Sequence, residues 1–256
     1  MAVSTSEQVV LVSVLYRPPH SFQARLQMAL AAGWPVIVFD NGTEPFEVSA
    51  PGLSVLGGQG NQGLGVGLHE SMKWAYEQGY THAFYVDQDT VFTLDTLAYV
   101  SDWLSNFKGR LTLSQPWAAV GFSAEGDGAW ASVPLLINAG SLFHLPRLQQ
   151  LGWHNPKRFL ECIDYDFCLR ARQAGFELGL IGACPGLDHK AEQPKHGSGR
   201  LYSLARTMAF LRGLLSLSFS AFRRGPRRYA CLFMRNVFTH LWSQLWVWLQ
   251  LKRQAS

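Results

Sequence analysis

The segment FYVDQDTVF (84–92) runs an apolar stretch straight into two acids, Asp87 and Asp89, with only Gln88 between them. Carboxylates at i and i+2 just beyond a buried strand can share one hard cation. Mg²⁺ or Mn²⁺ prefers oxygen ligands and keeps open positions for water or phosphate oxygens. Such a pair suits a diphosphate that must be held and neutralised as it leaves. The same three residues also read as a solvated turn, and the tripeptide alone does not choose.

Other residues bear on that choice. Asp40, in FDNGT, ends an apolar run, where it could meet a base or a ribose; an ordinary Asn-Gly turn is the competing reading. GGQGNQGLGVG (57–67), with Asn61 and Gly63, is a glycine-dense loop entering a helical pattern, so its backbone N–H groups could approach phosphates. It is neither a G-x-x-x-x-G-K-[ST] loop nor a G-x-G-x-x-G fingerprint, and a flexible turn is the alternative. ECIDYDF carries Glu161, Asp164 and Asp166; on a helix, Glu161 and Asp164 share a face. A carboxylate beside a cleft can deprotonate an incoming hydroxyl. Alternatively these acids pair with Arg170 or Arg172 on a solvated face. His189 completes a metal site or caps a loop.

These residues need a scaffold, and strand and helix signals alternate through the first two-thirds of the chain. VVLVSVL (9–15), VIVF (36–39), LSVLG (53–57) and HAFYV (82–86) read as strands. SFQARLQMALAAG (21–33), with Ser21 as cap and Gly33 as stop, and GVGLHESMKWAYEQG (65–79) read as helices. This β-α-β-α order predicts a doubly wound sheet, in which ligands bind beyond the carboxyl ends of the strands, where Asp40 and Asp87 fall. AAVGF (118–122), PLLIN (134–138), SLFHL (141–145) and FELGLIG (176–182) read as further strands, and residues 160–175 as a helix. From about residue 200 the pattern is purely helical, broken at RRGPRR (223–228).

A chain of 256 residues, 48% of them hydrophobic, is ample for a packed core. A net charge of +4 argues against a nucleic-acid binder. After Glu192, however, there is no acidic residue, while 11 of the 22 Lys and Arg lie there. The four cysteines show no C-x-x-C pair and read as reduced thiols of a cytosolic protein. The polar start MAVSTSEQ lacks the basic region of a secretory signal, and no window of about 18 residues is apolar enough to span a bilayer.

SVLYRPP, FDNGT, GNQGLGVG, YVDQDT, INAGSLF, CIDYDFCLRAR and DHK…RLYSLAR occur in this order over roughly residues 9 to 210. Together they resemble the family 2 inverting glycosyltransferases, in particular the rhamnosyltransferase-like branch. The resemblance implies an α/β fold of the glycosyltransferase A type, a Rossmann-like nucleotide-binding sheet, with a C-terminal helical region. It divides the chain into a catalytic domain (1–200) and a basic, aromatic-rich helical region (201–256). It implies Asp40 at the nucleotide base, Asp87 at the ribose or phosphate, Asp89 on Mg²⁺ or Mn²⁺, His189 at the donor diphosphate and its metal, and Asp164 as catalytic base. Asn61, Gly63 and Gln88 fall to the nucleotide-sugar site. The implied donor is dTDP-rhamnose or a similar nucleotide sugar. The implied acceptor is a saccharide or lipid-linked saccharide of cell-surface polysaccharide or lipopolysaccharide synthesis. The chain departs from the branch at Arg17, Glu161, Asp166-Phe167 and Thr207, positions that bear on donor and acceptor rather than on the chemistry.

The alternative to an enzyme is a nonenzymatic nucleotide-sugar- or glycan-binding subunit of a synthase complex; loss of an essential acid would favour it, and none is lost. A nucleotidyltransferase or a dehydrogenase is a third class, the latter disfavoured by the missing G-x-G-x-x-G. In NVFTHLWSQLWVWLQ, Asn236, Thr239, His240, Ser243 and Gln250 form a narrow polar stripe on an otherwise apolar helix. That helix packs on the protein itself or on a second subunit, or lies in a membrane interface with basic groups at 223–228 and 252–253 toward anionic lipid. The expected location is cytoplasmic, peripheral at the inner face of the membrane.

Overall fold

The computed structural model describes residues 8–43, 46, 48–107, 116–189 and 204–255, the side chains of 204 and 250–255 excepted. The chain runs β1 (Val9–Leu15), α1 (His20–Ala31), β2 (Val36–Asp40), β3 (Leu53–Gly57), α2 (Leu64–Glu77), β4 (His82–Tyr85) and α3 (Leu94–Phe107). It continues β5 (Trp117–Phe122), β6 (Trp130–Ser132), β7 (Ser141–His144), α4 (Leu145–Gln150), α5 (Ile163–Gln173), β8 (Glu177–Ile181), α6 (Leu204–Arg224) and α7 (Arg228–Ala255). The boundary expected at 200/201 lies outside the described residues.

All eight strands form one sheet in the order β3-β2-β1-β4-β7-β5-β8-β6. β3, β2, β1 and β4 are mutually parallel, and β7 is antiparallel to both its neighbours. β1 is apolar but for the buried Ser13, because both its faces are covered. Val10, Val12 and Val14 enter one core with Leu68, Met72 and Phe167, while Leu11 and Leu15 enter the other with Phe22, Leu26 and Leu97. A third cluster joins α5 to the C-terminal helices through Leu169, Leu214, Leu217, Tyr229 and Phe233. No described helix is long and apolar enough to cross a membrane.

The chain winds outward from β1 to β2 and β3, then returns to place β4 on the other side of β1. The winding of the chain therefore reverses between the parallel strands β1 and β4, and a crevice opens beyond their carboxyl ends. That is where Tyr16 and Asp87 emerge.

Three expectations need correction. Ser21 does not cap α1: the N-cap is Pro19, and no side chain caps it. Gly33, at φ +80°, does follow the helix end in the left-handed conformation that glycine tolerates. Residues 134–138 are irregular rather than a strand, because their backbone is claimed by side chains of α5: Leu136 N–H donates to Cys168 Sγ (3.2 Å) and Asn138 N–H to Asp164 Oδ1 (3.1 Å). Finally, α5 begins at Ile163, not near 160, since Cys162 takes φ +64° and turns the chain sharply into the helix.

Candidate active site

A cleft of about 440 Å³ lies over the reversal point, lined by Tyr16, Asn41, Asn61, Gly63, Asp87, Gln88, Asp89 and the apolar lip Phe159-Leu160. Asp87 is held from below. Tyr85, fully buried at the end of β4, donates its hydroxyl to Asp87 Oδ1 at 2.6 Å. Burial pushes the Asp87 carboxyl above its ordinary range; the Tyr85 hydrogen bond and nearby His189 pull it back, and Asp89 adds to the rise. Asp89 is half-exposed, and among the described residues nothing donates to its carboxylate. Gln88 lines the cleft and is also bonded to Tyr16. Its amide nitrogen donates to Tyr16 O (2.9 Å) and its amide oxygen accepts Tyr16 N–H (2.7 Å), while Arg25 donates to its backbone carbonyl (3.0 Å). Gln88 thus fastens the ends of β1 and β4 together.

Asp164 opens α5 on the neighbouring wall, partly buried. Burial and the negative charge of Asp87 lift its carboxyl to about 7, against the lowering effect of the Asn138 N–H bond. The same field reaches Tyr85, whose hydroxyl is held well above its usual range by burial and by Asp87, with Asp164 and Asp89 adding to it. Asp87 and Asp89 line the cleft, and Asp164, which does not line it, lies close enough to Asp87 to feel its charge. Glu161 does not share a helical face with Asp164 as the spacing suggested: it precedes the helix and pairs with Arg206 of α6. Asp166 turns inward to Arg170 (2.7 Å), Arg158 (3.6 Å) and Asn155 (3.2 Å), so the ion-pair reading holds for it.

His189 joins the group through a bridge between Val91 and Asp188, whose paired backbone bonds (2.8 and 2.9 Å) dock the segment beside Asp89. Its ring packs on Gly140, where a Cβ would lie 2.3 Å from Cε1, and Nε2 sits 3.3 Å from the Phe122 carbonyl. Asp40, by contrast, is buried 4% exposed beside the cleft. Both its oxygens are taken by its own loop, from Gly42 N–H (2.8 Å) and Phe46 N–H (2.9 Å).

Three amides of the glycine loop are bonded within the protein: Gln62 N–H to Asn41 Oδ1 (2.7 Å), Gly63 N–H to Asn61 Oδ1 (3.0 Å) and Leu64 N–H to Phe159 O (2.7 Å). The glycines also allow close approach. A Cβ on Gly65 would lie 2.1 Å from Arg158 O, and one on Gly63 2.6 Å from the Phe159 ring. The loop thereby seats the 155–160 segment as the lip of the cleft. Asn41, Tyr16 and Tyr85 escaped the sequence reading. Asn41 and Tyr16 were legible as residues just past strand ends; Tyr85 was not, because a core tyrosine and a site tyrosine look alike in a strand.

No family model and no curated protein matches the chain. Solved structures do. TarS of S. aureus superposes with a TM-score of 0.60 at 12% identity over 90% of this chain and 43% of TarS, and its 1–349 fragment with 0.55 at 12% over 85% and 66%. GalNAc-T7, solved with UDP, GalNAc and Mn²⁺, superposes with 0.53 at 10% over 82% and 48%. The fold is that of the A-type glycosyltransferases. The chain spans less than half the length of the TarS and GalNAc-T7 structures it matches. Among the described residues no group of three or more His, Cys, Asp or Glu side chains is set to hold a metal by itself. The carboxylate of Asp89, to which no described residue donates, fits a cation whose other positions are filled by water and phosphate oxygens, as Mg²⁺ prefers.

Proposed function

We propose that this protein is an inverting, metal-dependent glycosyltransferase. The observation that carries the reading is the pair Asp87 and Asp89 lining the cleft where the winding of the sheet reverses, with Asp164 close enough to Asp87 to feel its charge and raised to about 7. A general base works best when its pKa lies near the working pH, and Asp164 carries such a value. In this reading the nucleotide sugar lies along the cleft, Asp87 faces the ribose or phosphate, and Asn41, Asn61 and Tyr16 line its bed. Asp89 and His189 hold Mg²⁺ or Mn²⁺, which supplies positive charge against the diphosphate. With Nε2 protonated, the His189 contact to Phe122 O is the bond to a backbone carbonyl that a metal-ligating histidine makes through its other nitrogen.

Asp164 takes the proton of an acceptor hydroxyl. That oxygen forms its bond to the anomeric carbon as the bond to the diphosphate oxygen breaks, and the electron pair leaves with the diphosphate. Entry and departure occupy opposite faces, so the configuration inverts. The ordered motifs favour dTDP-rhamnose or a close relative as donor, and a saccharide or lipid-linked saccharide as acceptor.

Thermal shift with dTDP, UDP, NAD and CTP, each with and without Mn²⁺, tests the donor site: stabilisation by a nucleoside diphosphate that requires metal is expected. Product detection with dTDP-rhamnose and saccharide acceptors tests transfer. Metal-independent binding of NAD or CTP alone would overturn the reading. Metal-dependent binding with no transfer from any nucleotide sugar would leave the nonenzymatic subunit in its place.

A further inference from the structure

The C-terminal helices are the most unusual surface of the molecule. α7 packs on α6 through Tyr229, Phe233 and Val237, with Leu214 and Leu217 across the contact. Their outward sides are not polar. On α6, Met208, Leu215, Phe219 and Phe222 follow one another at helical spacing and are 41–63% exposed. On α7, Phe238, Trp242, Leu245 and Leu249 make a second such stripe, with Trp246 beside it, all 40–69% exposed. Contiguous exposed apolar surface of this kind marks an interaction site.

The charges around it narrow the partner. Arg212, Arg223, Arg224, Arg227 and Arg235 are exposed around the two stripes, and among the described residues none of them forms an ion pair. At the hairpin corner Arg223 stacks on Phe219 (5.5 Å) and Arg227 on Phe222 (5.8 Å), so the cations and the apolar rings form one patch. Neither helix contains an acidic residue. A second copy of this chain would bring arginines to arginines. A protein partner of ordinary composition explains the apolar stripes but not the uniform charge. A surface both apolar inside and anionic outside explains both, and neither helix is apolar enough to cross it.

We infer that the α6–α7 hairpin lies in the interface of an anionic lipid bilayer, its aromatic stripes in the acyl boundary and its arginines at the headgroups. Tryptophan favours that depth. The inference stands on the hairpin alone and does not depend on the proposed transfer reaction.

The test is co-sedimentation of the full chain with vesicles of phosphatidylcholine alone and of phosphatidylcholine with phosphatidylglycerol. Binding to the anionic vesicles that falls with added salt is expected. Each arginine near such a surface contributes about fivefold in partition, so a triple reversal, Arg223→Glu, Arg224→Glu and Arg227→Glu, should weaken binding by on the order of 100-fold or more. These side chains are exposed, so the variant should melt as the parent does. A second variant, Trp242→Ser with Trp246→Ser, should also lose binding to anionic vesicles at low salt. Absence of binding at low salt would overturn the inference, as would equal binding to neutral vesicles unchanged by the reversal. A concentration-dependent dimer in ultracentrifugation, lost in the tryptophan variant and accompanied by no vesicle binding, would assign the face to a second copy instead.

Discussion

In the proposed reaction Asp164 carries opposing demands. A base must be ionised to act, yet burial and Asp87 disfavour its charge, lifting it from 3.8 to about 7. Between those values the folded chain binds a proton that the unfolded chain has released. This group's contribution to stability therefore declines as pH rises from about 4 to 7. Asp164→Asn removes that decline, and its amide oxygen can still accept the Asn138 N–H. Urea melts without metal should show the variant gaining on the parent across that range; parallel curves would mean that Asp164 is not held protonated. In the proposed reaction the same substitution lowers kcat by about 10²–10⁴ while sparing nucleotide affinity, and the parent's kcat/KM rises with pH through about 7. Calorimetry showing affinity lost with activity would move Asp164 into the donor site. Asp89→Asn has the complementary signature. Among the described residues its carboxylate bonds nothing, so the melting temperature should hold. Metal-dependent turnover should fall by on the order of 10²-fold or more, and full turnover at ordinary Mn²⁺ would remove Asp89 from the metal site.

At the scale of elements, the site depends on close packing between a helix start and a loop. Gly65 lets α2 approach the Arg158 carbonyl, and Leu64 N–H bonds Phe159 O across the same contact. Gly65→Ala should cost about 1–3 kcal/mol in a urea melt, since backbone rather than a movable side chain blocks the new methyl, and should weaken nucleotide binding as the Phe159-Leu160 lip shifts. An unchanged midpoint would mean that the loop yields freely. The sequence disclosed the elements unevenly. β1, β2 and β4 were plain because strands buried on both faces are unbroken apolar runs, and Asp87 and Asp89 were plain because acids end such a run. Residues 134–138 look equally apolar, but what makes a strand is where the backbone N–H groups go, and here two go to Cys168 and Asp164. The late start of α5 rests on a left-handed Cys162, a conformation its residue type does not announce. α3 and α4 went unread, and β6, at three residues, is too short for any periodicity.

Across the whole molecule, the C-terminal helices are tied to the chemistry. α5 carries Asp164 at its start and Leu169 in the cluster shared with Leu214, Leu217 and Phe233, and Glu161 just before it pairs with Arg206. Truncation before residue 204 should thus lower the urea midpoint and impair transfer even to a water-soluble saccharide; intact activity on that acceptor would make the hairpin an appendage. One further consequence comes from β7. It alone joins β3-β2-β1-β4 to β5-β8-β6, and it lies later in the chain than either strand it pairs with. As the polypeptide leaves the ribosome, the first four of these strands can assemble once residue 85 has emerged. Ser141–His144 then slot in beside β4, with Gly140 N–H reaching Tyr85 O, and Phe159 and Leu160 of the cleft's lip follow them in the chain. A nascent chain can therefore begin to enclose a ligand only once residue 160 has emerged, after β7 has joined β4 to β5.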